Sequence, residues 1–255
     1  MRLTQHIFGI CERVGDGYFE EPLNLLSNIF FIWGAYAVFT YYRSLPELKR
    51  KKFYDVPVLT FLMLVIGCCS MVFHAYPTPV TEAFDTLPIV AFIVIYFFSA
   101  MFRIARCNIY QALICFAAFA GFTHMAVMHF PHAFNDSIGY LSSMVALVMI
   151  ALYLNIKRRG SARAFLLISL VGIISLFFRS IDNAVCQSLP IGTHFLWHSL
   201  NAYLLYMLMI QLVRNVNRRG YLMRKARAAK LEQQQTAALK PVASKRASKT
   251  EMKRG

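Results

Sequence analysis

Two histidines four residues apart, in His194-Phe-Leu-Trp197-His198, are the first residues whose spacing suggests chemistry. On a helix, side chains at i and i+4 leave one face about a turn apart, so both imidazoles can grip one metal ion. His74 can supply a third nitrogen from a neighbouring segment. Three His ligands leave the fourth tetrahedral position to water, the arrangement of a catalytic rather than a structural zinc. Zinc held that way lowers the pKa of its water to about 7 and polarises a carbonyl. Asp85 then has two open roles: orienting a ligand imidazole, or accepting the proton of the attacking water. Ser70, one turn before His74 in Ser70-Met-Val-Phe-His74, could donate a hydrogen bond to a developing oxyanion. Haem is the rival reading, but its axial His ligands come from opposite faces, whereas His194 and His198 share one. His124, His129 and His132 fit no single helix stripe and read as pocket-rim or interfacial residues.

These residues lie within or beside long apolar runs. The 255 residues are 58% hydrophobic and 15% charged, with mean hydropathy +0.49, which excludes a disordered chain and argues against a soluble domain. A hydrocarbon core of about 30 Å needs roughly 20 apolar residues per helix. Seven windows qualify, near 22–42, 56–76, 83–102, 109–129, 137–156, 164–183 and 191–213. They are too long and continuous for barrel strands, so the expected fold is all-α, a seven-helix polytopic membrane bundle. The division is a segment 1–21, a helical domain 22–213, and a basic tail 214–255 with too little apolar content to fold alone. Met1 to Glu21 is acidic and lacks an apolar core, so no cleavable signal peptide is expected there.

The net charge of +15 is distributed as in a membrane protein, not a nucleic-acid binder. All but three of the 27 Lys and Arg (Arg2, Arg13 and Arg179) lie in alternate connections or the tail. The positive-inside rule therefore places the N-terminus outside and the C-terminus in the cytoplasm. On that topology Ser70, His74, Asp85, Arg179, Asp182, His194 and His198 all fall in the outer third of the bundle. Ionisable groups inside hydrocarbon are costly, and a cluster at one depth points to a fixed site.

The sequence resembles the alkaline ceramidase family, within a superfamily of seven-helix membrane hydrolases that includes the adiponectin receptors and Per1-type proteins. The resemblance rests on Cys11-Glu12, Glu21-Pro-Leu-Asn24-Leu-Leu-Ser27-Asn28, Ser70-Met-Val-Phe-His74, Asp85, Arg179-Ser-Ile-Asp182 with Cys186, and His194-Phe-Leu-Trp197-His198 followed by Asn201. It implies zinc on His74, His194 and His198, proton transfer by Asp85, and oxyanion stabilisation by Ser70. It implies calcium as a second ion, with Glu12, Glu21 and the carbonyl of Ile10 as matching ligands. Gly9 and Val14 depart from that calcium pattern, leaving Asp16 or Glu20 to substitute. The alternative for the acidic run is a solvated face favoured by the helix macrodipole. The resemblance also pairs Cys11 with Cys186; both lie outside by the charge argument, where a disulfide can form.

The activity expected is zinc-dependent hydrolysis of the amide of ceramide or a related lipid, drawn laterally from the bilayer. Phe92, Tyr96, Phe97 and Phe98 are candidate pocket-lining residues. A lipid esterase or remodelling enzyme would use the same zinc water, and a seven-helix receptor is the non-enzymatic alternative. The location expected is a bacterial inner membrane or a eukaryotic ER or Golgi membrane, with the site on the extracytoplasmic side.

Overall fold

A computed structural model describes residues 9–15, 17–50, 53–214 and 230–231. Two compact units are distinguished, Met1–Arg214 and Asn215–Gly255, and the first contains the bundle. The expectations for the basic tail and for Asp16 fall outside the described residues, apart from Arg214, Lys230 and Leu231.

The described residues form helices and no strand, and seven helices are long and apolar enough to cross a membrane. They are α1 (Pro22–Arg43), α2 (Asp55–Ala75), α3 (Pro79–Ala105), α4 (Ile109–His129), α5 (Gly139–Ile156), α6 (Ala162–Val185) and α7 (His194–Arg214). The surface is that of a lipid-facing protein: Trp33, Phe61, Leu87, Ile114, Met149 and Leu167 are exposed, whereas Asn24, Asn28, His74 and Asp182 are buried. Soluble monomers rarely expose so much contiguous apolar side chain.

Polar residues at the helix ends explain where the elements start. Thr78 and Thr81 form a capping box at the head of α3, with Pro79 in its first turn, and Asn108 and Gln111 do the same for α4. The Thr78 cap starts α3 four residues before the window that hydropathy alone marks out. At its other end α3 passes into a π-helical turn, Met101–Ala105, and stops at Arg106 in the left-handed conformation. The first span is interrupted at Asn28, between Pro22–Ser27 and Ile29–Arg43.

Helix α2 packs against α1 and α3, and α5 against α4 and α6. A Cβ at Gly67 of α2 would lie 3.0 Å from Phe31 Cβ and 3.1 Å from the Asn28 carbonyl, so this glycine permits the close approach of α1. Helix α7 is tied to two others by hydrogen bonds to its carbonyls: Ser175 of α6 donates to Trp197 (3.2 Å) and Tyr96 of α3 to Leu208 (3.1 Å). Both of its histidines thereby face inward, beside the end of α2.

Candidate metal centre and active site

Helix α2 ends with Ser70 and His74 on one face, α3 brings Asp85 two turns into its length, and α7 opens on His194 and His198. The three histidines are buried, and their candidate ligand atoms lie within 4.8 Å of one another. Nε2 of His74 and Nε2 of His198 are 3.2 Å apart. A tetrahedral ion with bonds of about 2.0–2.1 Å separates neighbouring ligand nitrogens by about 3.3 Å, so the donor types and this spacing fit a metal ion of the zinc kind.

Two of the three imidazoles, His74 and His194, have an acid that supports them. Nδ1 of His74 lies 2.5 Å from Glu21 Oε2, the carboxylate–histidine pairing that fixes ring orientation and tautomer in metal sites. Glu21 also accepts from Arg13 Nε (2.6 Å) and Asn24 Nδ2 (3.3 Å) and is 1% exposed. Burial pushes its carboxyl up, but His74 and the Arg13 guanidinium outweigh burial and hold it below the usual carboxylate range. His194 is set by Asp182, whose Oδ1 accepts the backbone N–H groups of Thr193 (2.6 Å) and His194 (3.0 Å), while Oδ2 accepts that of Cys11 (3.1 Å). Asp182 therefore caps α7 and anchors the N-terminal segment at once.

The turn before α7 requires Gly192, at φ +63°, because a Cβ there would overlap Asp182 Oδ1 and lie 2.5 Å from Cys11 Cβ. A disulfide joins Cys11 to Cys186, 175 residues apart, beside the same cap. A guanidinium nitrogen of Arg179 lies 2.8 Å from His194 Nδ1, and its Nε donates to Ser137 Oγ (3.1 Å). Ser137 follows a turn in which Phe134, Asn135 and Asp136 all have left-handed backbone. Asn135 steadies that turn by donating to the Arg179 carbonyl (3.4 Å) and accepting from Asn183 (2.8 Å).

His194 and His198 open onto a cavity of about 450 Å³, bordered also by Ser70 and Asp85 and continuing along α3 as far as Ala100. From Asp85 to Ala100 the helix rises about 22 Å. Apolar and aromatic walls dominate that stretch, among them Phe92, Tyr96 and Phe97. Phe98, the fourth aromatic residue expected to line a pocket, packs instead against Phe102 and Phe116. Asp85 faces the Ser70 hydroxyl, and its Oδ1 is buried with no hydrogen-bond partner among the described residues. His124, His129 and His132 are exposed and stand apart from the three-histidine cluster.

The expected calcium ligands have other partners. Glu12 accepts the backbone N–H groups of Leu23 (2.6 Å) and Asn24 (2.9 Å), capping α1 from ten residues upstream. Burial raises the Glu12 carboxyl above its ordinary pKa, against the lowering effect of those two donors. The Ile10 carbonyl accepts from the Arg13 N–H (3.3 Å). Calcium therefore gains no support from this arrangement. The functional residue that sequence reasoning passed over is Arg13, whose signal was its position as the one cation in an otherwise acidic stretch from residue 9 to 21.

A seven-helix bundle that buries three imidazoles above a long apolar cavity defines a polytopic membrane protein with a candidate metal-dependent active site. The chain belongs to the Ceramidase family, whose model matches residues 11–231. Membership implies a hydrolase acting on an amide bond and a lipid substrate. No curated protein matches the chain.

Proposed function

We propose that the protein is a zinc-dependent intramembrane hydrolase that cleaves the amide of ceramide, or of a close relative, to a sphingoid base and a fatty acid. The observation that carries this reading is the three-histidine cluster beside an apolar cavity, next to an Asp85 carboxylate whose Oδ1 has no hydrogen-bond partner among the described residues. His74, His194 and His198 would hold the ion, and zinc bound there supplies Lewis acidity that acidifies a water and polarises an amide carbonyl.

The chain's own groups take the remaining tasks. Asp85 has a free oxygen at the cavity wall, and Glu21 already orients His74, so Asp85 is assigned proton transfer: it accepts a proton from water and returns it to the departing amine. The Ser70 hydroxyl beside it is assigned the hydrogen bond to the oxyanion. The apolar walls along α3 suit an acyl chain and exclude bulk water from the amide.

The topology proposed with this function has the N-terminus and the site on the extracytoplasmic side, supported by the Lys and Arg in alternate connections. The domain organisation is that of segment 1–21, bundle 22–213 and cytoplasmic basic tail 214–255, in a bacterial inner membrane or a eukaryotic ER or Golgi membrane. The test is elemental analysis of purified protein together with fatty-acid release from ceramide and phospholipid panels. About one zinc per chain with release from ceramide is the expected result. Release from phospholipid alone would identify a lipid esterase, and zinc-free protein with no release from either would remove the hydrolase reading.

A further inference from the structure

The resemblance that pairs Cys11 with Cys186 also implies calcium in the N-terminal cap, and the cap instead contains a cation of its own. The Arg13 side chain is 1% exposed. Its Nε donates to Glu21 Oε1 (2.6 Å), one terminal nitrogen to the carbonyls of Gly15 (3.3 Å) and Gly17 (3.1 Å), and the other to the carbonyl of His74 (3.2 Å). One carboxylate and three carbonyls are the hard oxygen ligands a divalent ion selects. Here they converge on a planar guanidinium that is always charged and offers five N–H donors in a fixed fork.

We infer that Arg13 is the resident cation of this cap, that the matching oxygens of Ile10, Glu12 and Glu21 hold no calcium, and that Arg13 is a positioning residue for His74. The geometry gives it two grips on that histidine. One is direct, on the His74 carbonyl. The other passes through Glu21, whose Oε1 is held by Arg13 while Oε2 meets the His74 ring. A calcium ion would need six to eight oxygens, and the matching ones are committed: Glu12 to two backbone N–H groups, Glu21 to Arg13, His74 and Asn24, and the Ile10 carbonyl to the Arg13 N–H. It would also have to sit beside a buried positive charge, whose repulsion is weakly screened away from water.

The inference rests on the proposed zinc site only for the role of His74. The test uses the full chain in detergent, stripped of metal and reloaded with zinc alone. Thermal midpoint and bound calcium are then measured with and without millimolar calcium chloride. The expected result is substoichiometric calcium and an unmoved midpoint. About one calcium per chain, or a midpoint that rises with calcium, overturns the inference. Both readouts stand if the chain proves not to be a hydrolase.

For the positioning role, zinc affinity is titrated against a competing chelator. Arg13→Gln is expected to weaken it about 10-fold to 100-fold, as loss of support behind a metal-binding histidine does. Unchanged affinity in folded Arg13→Gln protein overturns the role. If Arg13→Gln does not fold, Arg13→Lys decides, since it keeps the charge without the fork: weaker zinc binding supports the role and wild-type affinity overturns it.

Discussion

Glu21 Oε2 meets His74 Nδ1 at 2.5 Å, and its other oxygen is held by a buried arginine. The carboxylate thus stands behind the three-histidine cluster, although it precedes the first transmembrane helix and lies 53 residues from the histidine it meets.

That relationship separates two neighbouring acids by function. Glu21→Gln is expected to weaken zinc binding about 10-fold to 100-fold. Glu12→Gln, at a residue whose hydrogen bonds among the described residues go to the backbone at the start of α1, is expected to cost about 1 kcal/mol of stability as a lost helix cap and to leave zinc affinity intact. Chelator competition and thermal unfolding on both variants check this. Equal zinc affinities would remove Glu21 from the metal centre.

The seven helices and the His194–His198 pair were legible because hydropathy runs and an i, i+4 spacing are local signals, and His74 because it stands at the matching end of a neighbouring span. The cap was not. Glu12 and Glu21 read as calcium ligands or as a solvated face, since nothing in their spacing reveals that one caps α1 and the other meets His74. Asp182 is similar: its place at the end of α6 was visible, but its acceptance of N–H groups from Thr193, His194 and Cys11 depends on how the chain returns. Long-range carboxylate pairings have no period, so hydropathy and periodicity cannot find them. The start of α3 was missed for a local reason, because hydropathy undervalues the Thr78-Pro79 cap.

Binding and chemistry should come apart at the cavity wall. Ser70→Ala is expected to lower kcat about 100-fold to 1,000-fold, the usual effect of losing an oxyanion donor. Asp85→Asn is expected to lower kcat at least as far, and both variants should keep their zinc. Metal content and steady-state kinetics on ceramide check this. Loss of zinc from folded Asp85→Asn protein would mean that Asp85 supports an imidazole and that the base lies elsewhere.

Gly192 is expected to be intolerant of any side chain. Its positive φ costs an L-residue about 1–2 kcal/mol, and the added Cβ would overlap the carboxylate that caps α7. Gly192→Ala should therefore lower the thermal midpoint and loosen zinc together, because moving Asp182 releases the N–H of His194. Gly9→Ala is the control, since a Cβ there meets nothing within 4 Å. A Gly192→Ala protein with an unchanged midpoint would show that the turn relaxes without disturbing the cap.

The disulfide closes a long loop of the bundle and should act on stability more than on chemistry. Cys11 and Cys186 are 175 residues apart, and removing a native bridge typically costs about 2–5 kcal/mol. The Cys11 backbone N–H stays on Asp182 whatever the side chain, and Arg13 and Glu12 bind the same segment to α2 and α1. The double variant Cys11→Ser, Cys186→Ser is therefore expected to unfold at lower temperature while retaining zinc and most of its kcat at temperatures where it remains folded. A reductant should lower the midpoint of the unsubstituted chain toward that of the variant and leave the variant unmoved. Loss of zinc from the folded double variant would mean that the bridge, not the Asp182 and Arg13 contacts, holds the cap over the site.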